Sequence, residues 1–128
     1  MIKQKVAFIT GIYKAQEIPY LNHLKKEIRK LDLPNYKIYL FDNRKDNKGY
    51  AYGINKGIKK AIEQDCEIFI ILNPDISFLK LNQKVIENGL KKFDVLGFAM
   101  KQEDTTYYGG KIDRYRLSGG LITQKPNK

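Results

Sequence analysis

The sequence has one cysteine, one histidine, four arginines and, glycine set aside, no apolar run longer than five residues. Each scarcity excludes something. A lone Cys66 cannot form an internal disulfide and fits a reducing compartment. Ile68–Leu72, the longest apolar run, is strand-sized and far short of a bilayer span. Met1–Lys5 leads straight into the first short apolar run without the layout of a signal peptide. The expected location is therefore the cytoplasm, with peripheral contact at the inner membrane surface left open. His23 has no His or Cys companion, which argues against a zinc site and for a surface histidine.

The abundant residue is lysine. The net charge is +10, which admits nucleic acid, an anionic membrane surface or a small anionic ligand as partner. Nucleic-acid readers usually gather Arg and Lys on one element, whereas here lysine is spread along the chain. Charge alone selects none of the three.

Four apolar runs recur: Val6–Ile9, Ile38–Phe41, Ile68–Leu72 and Val95–Met100. They are continuous rather than alternating, as in parallel strands buried on both faces. Helical periods separate them. Ile18, Leu21, Leu24, Ile28 and Leu31 recur at threes and fours, with Pro19 suited to an opening turn and Leu33-Pro34-Asn35 as the break. A second helix is expected over 50–64, with Ile54, Ile58, Ala61 and Ile62 inward. A third is expected over 81–93, with Val85, Ile86 and Leu90 inward. Alternating strand and helix predicts a Rossmann-like α/β fold, an open and mainly parallel sheet with flanking helices. The length suits a single domain over 1–128, with 124–128 as a flexible tail.

Ligands of such sheets sit beyond the carboxyl ends of the strands. Thr10-Gly11-Ile12-Tyr13, Asp42 through Gly49, and Asn73-Pro74-Asp75 all fall there. A carboxylate at a strand's mouth, with a ligand's phosphates, is a common way to hold Mg²⁺ or Mn²⁺. Asn-Pro-Asp equally serves as a plain turn. In Asn47-Lys48-Gly49-Tyr50-Ala51-Tyr52-Gly53-Ile54-Asn55-Lys56-Gly57, Gly49 and Gly53 leave backbone uncovered for a ligand or a strand. Gly57 suits tight packing on the sheet. The helix start also offers free N–H groups to an anion. These glycines, four apart, do not match the dinucleotide G-x-G-x-x-G pattern, and glycine spacing alone is weak evidence.

Taken in order, Asp42-Asn43, then Asn47-x-Gly49-Tyr50-Ala51-x-Gly53-x-Asn55-x-Gly57-Ile58, then Leu72-Asn73-Pro74-Asp75-Ile76 carry a resemblance. The run from Phe41 to Phe78 resembles the nucleotide-binding signature of family-two glycosyltransferases, especially their rhamnosyltransferase-like members. Fainter similarity reaches Thr10–Tyr13 and Tyr107–Asp113. The resemblance implies a shortened GT-A fold and an inverting, metal-dependent transfer of a sugar from a nucleotide-diphosphate sugar to an acceptor hydroxyl. It places Thr10, Gly11 and Tyr13 against the nucleoside, and Asp42 on the base or ribose. Asn47, Gly49 and Asn73 would line the nucleotide pocket, and Asp75 would bind Mg²⁺ or Mn²⁺.

Two departures qualify it. Arg44-Lys45-Asp46 is shorter and more basic than the family's usual continuation. Family members also continue into an acceptor-binding half with a Glu-Asp pair whose Asp is the general base, whereas this sequence ends at Lys128. Glu103-Asp104 comes too early for that role and reads as a hairpin tip. Asp113 is the stand-in for the base, unless it pairs with Arg114 or Arg116. A partner chain or a second copy is the other source of the acceptor half. The expectations are a glycosyltransferase, a nucleotide-sugar-binding module with little transfer, or a basic protein for nucleic acid or membrane.

Overall fold

The computed structural model describes residues 1–113, 115 and 118–125, with backbone alone at Gly110–Asp113 and Ser118. It divides into two compact units, Met1–Asn88 and Gly89–Lys128.

The first unit is built on three parallel strands, β1 (Val6–Ile12), β2 (Tyr36–Asp42) and β3 (Ile68–Ile71), in the order β2-β1-β3. In register, Val6 faces Tyr36 and Ile68, while Ile9 faces Tyr39 and Ile71. All seven residues of β1 are buried, as its continuous apolar run demands of a central strand. The edge strands differ from the expectation of burial on both faces. Leu40, Phe69 and Ile71 are exposed, because an edge strand has a neighbour on one side only.

Helix α1 (Ile18–Arg29) follows a single 3₁₀ turn over Ala15–Glu17, and Pro19 sits in its first turn as predicted. A proline there costs nothing, since the first N–H groups have no partner inside the helix. Its buried residues are Leu24, Glu27 and Ile28, with Leu31 buried just beyond its end. Helix α2 (Tyr50–Glu63) matches its predicted span within a residue. Ile54 and Ala61 join Ala7, Ile9, Tyr39 and Cys66 in one core, with Phe41 and Ile58 packed against it. Ile62, expected inward, is exposed, because α2 lies over β1 and β2 and leaves that flank uncovered. Gly57 packs as expected: a Cβ there would stand 2.8 Å from Ile9 Cγ2.

Helix α3 (Gln83–Leu90) is shorter than predicted and buries Ile86, while Val85 faces solvent. Gln83 fastens it, donating to the carbonyls of Leu31 and Asp32 and accepting from Ile2 N–H. The unit boundary falls within α3.

The second unit holds two antiparallel pairs, β4 (Met100–Gln102) with β5 (Thr105–Tyr107), and β6 (Gly110–Asp113) with β7 (Ser118–Leu121). Glu103-Asp104 is the predicted hairpin tip, with Glu103 in the left-handed region at φ 54°. The fourth parallel strand is a correction. Val95–Ala99 forms no strand, and only Met100 of that run is paired, antiparallel to Tyr107. Gly97 interrupts the run, and apolar length alone specifies no partner. The parallel sheet is thus three-stranded. Pro126–Lys128, most of the expected tail, lie outside the described residues. Among the described residues, no helix is long and apolar enough to cross a membrane.

Candidate functional site

With β1 central, β2 and β3 lie on opposite sides of it. The carboxyl ends of β1 and β3 therefore flank a point where connections diverge, the usual place for a crevice in an open parallel sheet. A cleft of about 390 Å³ opens there, lined by Gly11, Tyr13, Lys14, Glu17, Tyr20, Asn73, Pro74 and Asp75. Four of the residues predicted from sequence, Gly11, Tyr13, Asn73 and Asp75, converge on it from the end of β1 and the loop after β3, about 60 residues apart in sequence.

Asp75 is exposed and makes no hydrogen bond or ion pair among the described residues. Pro74, beside it, is buried, which anchors the turn while the carboxylate faces solvent. No group of three or more His, Cys, Asp or Glu side chains gathers among the described residues. A Mg²⁺ or Mn²⁺ ion held mainly by ligand phosphates needs only one or two carboxylates, so a free Asp75 fits that donor set.

Glu17, Lys14 and Tyr20 were not expected at the site. Glu17 Oε1 accepts the N–H groups of Tyr13 at 3.0 Å and Lys14 at 2.9 Å. It thereby holds the chain as it leaves β1 and turns into the helix. An acid three residues after the start of a helical turn is the capping-box spacing, a signal present in the sequence.

The other predicted residues lie elsewhere. Thr10 is fully buried in β1, its hydroxyl has no hydrogen-bond partner, and it does not line the cleft. Asp42 is occupied by its own loop. Arg44 donates Nε to Oδ1 at 3.0 Å and to Oδ2 at 3.1 Å, Nη2 to Oδ2 at 2.7 Å, and its backbone N–H to Oδ1 at 3.0 Å. These bonds to the charged form hold the Asp42 carboxyl at about 2, below the ordinary carboxylate range. Asn47 turns its own loop, Oδ1 accepting Gly49 N–H at 2.9 Å. Gly49 ends that turn at φ 95° and opens α2, a backbone conformation that favours glycine. Asn43, buried, donates its amide to the Gly49 carbonyl at 3.4 Å and its backbone N–H to Ile12 O at 2.9 Å. It ties the ends of β1 and β2 to the start of α2.

Gly53, which suggested ligand approach, makes room for a side chain instead, and Gly11, which lines the cleft, packs on the same ring. A Cβ at Gly11 or at Gly53 would stand 2.1 or 2.3 Å from the Phe41 ring, so that ring fills the space on both. Phe41 also meets Tyr13 edge-on at 6.3 Å and Tyr50 at 6.4 Å between ring centroids. The three rings floor this end of the sheet. Burial, and secondarily Tyr13, raises the Tyr50 hydroxyl pKa. The Tyr13 hydroxyl is buried without a hydrogen-bond partner.

Asp113 closes β6 opposite Ser118, but its side chain lies outside the described residues, as do Arg114 and Arg116. No family model matches the chain, and neither a curated protein nor a solved structure matches it.

Proposed function

We propose that the chain binds a nucleotide-diphosphate sugar with Mg²⁺ or Mn²⁺ in the cleft at the ends of β1 and β3, and belongs to the glycosyltransferases that use a GT-A fold. The observation that carries the reading is the meeting of Gly11 and Tyr13 with Asn73 and an unpaired Asp75 in one cleft. Asn73 and Asp75 belong to the third piece of the motif series that resembles the family, and Gly11 and Tyr13 to its fainter extension. In this reading Tyr13 and Gly11 lie against the nucleoside, and Asp75, with Asn73, would hold the metal against the diphosphate. A cation so held screens the charge that grows on the diphosphate as the sugar leaves.

A second reading has its own observation. Transfer to a hydroxyl calls for a carboxylate within reach of the acceptor proton. The cleft is lined by two carboxylates, and Glu17 is engaged by two backbone N–H groups. With Asp75 on the metal, neither is left as a base. This favours a nucleotide-sugar-binding module whose acceptor side comes from a second copy or another chain.

Calorimetry with a panel of nucleoside diphosphates, with and without Mn²⁺, tests the binding. Metal-dependent affinity that vanishes in Asp75→Ala is expected; an unchanged variant removes the metal role. Sugar nucleotides then separate the two readings. Transfer to an added acceptor supports the enzyme, and slow hydrolysis without transfer supports the module.

A further inference from the structure

The cleft has two walls. Lys14, Glu17 and Tyr20 form one, on the segment that enters α1; Asn73, Pro74 and Asp75 form the other, on the loop after β3. His23 stands one helical turn beyond Tyr20, and Ser77 two residues beyond Asp75. His23 Nε2 and Ser77 Oγ are 2.7 Å apart. Among the described residues, this is the one hydrogen bond that joins α1 to the loop after β3. The expected surface histidine is thus half-exposed but engaged, across 54 residues of sequence.

Glu27 lies behind it. Its side chain is 6% exposed, and Oε1 stands 3.5 Å from His23 Nε2 and 3.2 Å from Lys30 Nζ. Its other oxygen is buried without a partner. A carboxylate so near repels an imidazole lone pair and attracts an N–H. It therefore favours the tautomer with the proton on Nε2. In that tautomer His23 donates to Ser77 Oγ, and Glu27 keeps the donor in place.

We infer that His23, backed by Glu27, is a positioning residue: through Ser77 it pins the loop that carries Asp75 to α1 and so sets that carboxylate against the opposite wall of the cleft. The inference rests on the reading of Asp75 as the metal ligand. It differs from a general stabilising role in one respect, that its effect on binding passes through Asp75.

The test uses the whole chain and Mn²⁺ with whichever of ADP, GDP, UDP, CDP and dTDP binds tightest, read by calorimetry. Ser77→Ala is expected to lower Mn²⁺-dependent affinity about threefold to tenfold, the scale of one hydrogen bond. Ser77→Thr, which keeps the hydroxyl, is expected to stay within about twofold. Without metal, Ser77→Ala should leave the residual nucleoside diphosphate affinity unchanged, because its effect passes through the Asp75 metal role. Should Ser77→Ala fail to fold, His23→Leu against the donor-keeping His23→Gln asks the same question. A Ser77→Ala affinity equal to wild type, with Asp75→Ala losing binding, overturns the inference and leaves the Asp75 reading intact. A Ser77→Ala loss of the same size in the metal-free affinity also overturns it, as the mark of a structural role. Wild-type binding that ignores Mn²⁺ removes both readings together.

Discussion

Two acidic loops leave the same edge of one parallel sheet, and they have opposite fates. After β2, Asp42 is gripped by Arg44 through both side-chain and backbone donors. After β3, Asp75 has no partner among the described residues and faces a cleft. Both carboxylates follow apolar strands. What separates them is a cation two residues along the chain. A motif carboxylate can bind a ligand's metal only where its own loop does not supply the counter-charge first.

The contrast breaks most sharply at Asp75. Asp75→Ala should lower Mn²⁺-dependent nucleoside diphosphate affinity by about 100-fold or more, since the ion keeps no other protein carboxylate. The mirror-image Asp42→Ala should cost far less in the same calorimetric assay.

Packing beneath the Asp42 loop comes next. Gly→Ala inside a helix normally stabilises by about 1 kcal/mol. Gly53→Ala should instead destabilise by about 1–3 kcal/mol, because the new methyl meets the Phe41 ring. Urea unfolding gives the sign directly, and a more stable variant would show that the ring yields.

Arg44→Ala should make the two loops alike. The Asp42 carboxyl, held at about 2 by Arg44, should return to about 4, read from its carboxyl carbon shift in an NMR titration. Stabilisation from the pair is present above about pH 4 and lost as pH falls toward 2. The variant should lack that part of the acid limb. If Asp42 then reads the nucleoside, affinity at neutral pH rises a few-fold.

The smallest effect lies away from both loops and serves as a control. Tyr39 is raised to about 12, first by burial and then by its contact with Cys66. Its contribution is intact below about pH 10 and is lost as pH rises through 12. Tyr39→Phe should flatten the alkaline limb of a melting-temperature profile and leave nucleotide binding unchanged.

Much of the scaffold could be read in the sequence because single periodicities governed it. The continuous run Val6–Ile9 is a strand buried along its whole length, and the stripe of Ile54, Ile58 and Ala61 is the packed side of α2. Loop contents were legible too: Gly11, Tyr13, Asn73 and Asp75 meet where strand ends meet. The failures have a common cause, which is that composition does not name a partner. A glycine marks space, yet Gly53 makes space for Phe41 rather than for a ligand. An apolar run marks burial or pairing, yet Val95–Ala99 finds no strand beside it. Asp42 and Arg44 stand two apart, but only the folded loop shows the guanidinium turning back. Ser77 and His23 meet across a span that leaves no trace in local spacing.

The central strand has a consequence for how the cleft responds to a ligand. β1 is wholly buried and paired on both sides over Val6–Ile9, and with β2 alone to Ile12, so its amides from Val6 to Ile9 belong to the slowest to exchange with deuterium. The strand itself ends one residue short of Tyr13, while Asp75 rides on an exposed loop. The cleft thus pairs the end of a buried strand with an exposed loop that one hydrogen bond, His23 to Ser77, ties to α1. Ligand-induced slowing of exchange should therefore register around residues 73–79 and be nearly invisible along β1, where there is little motion left to suppress.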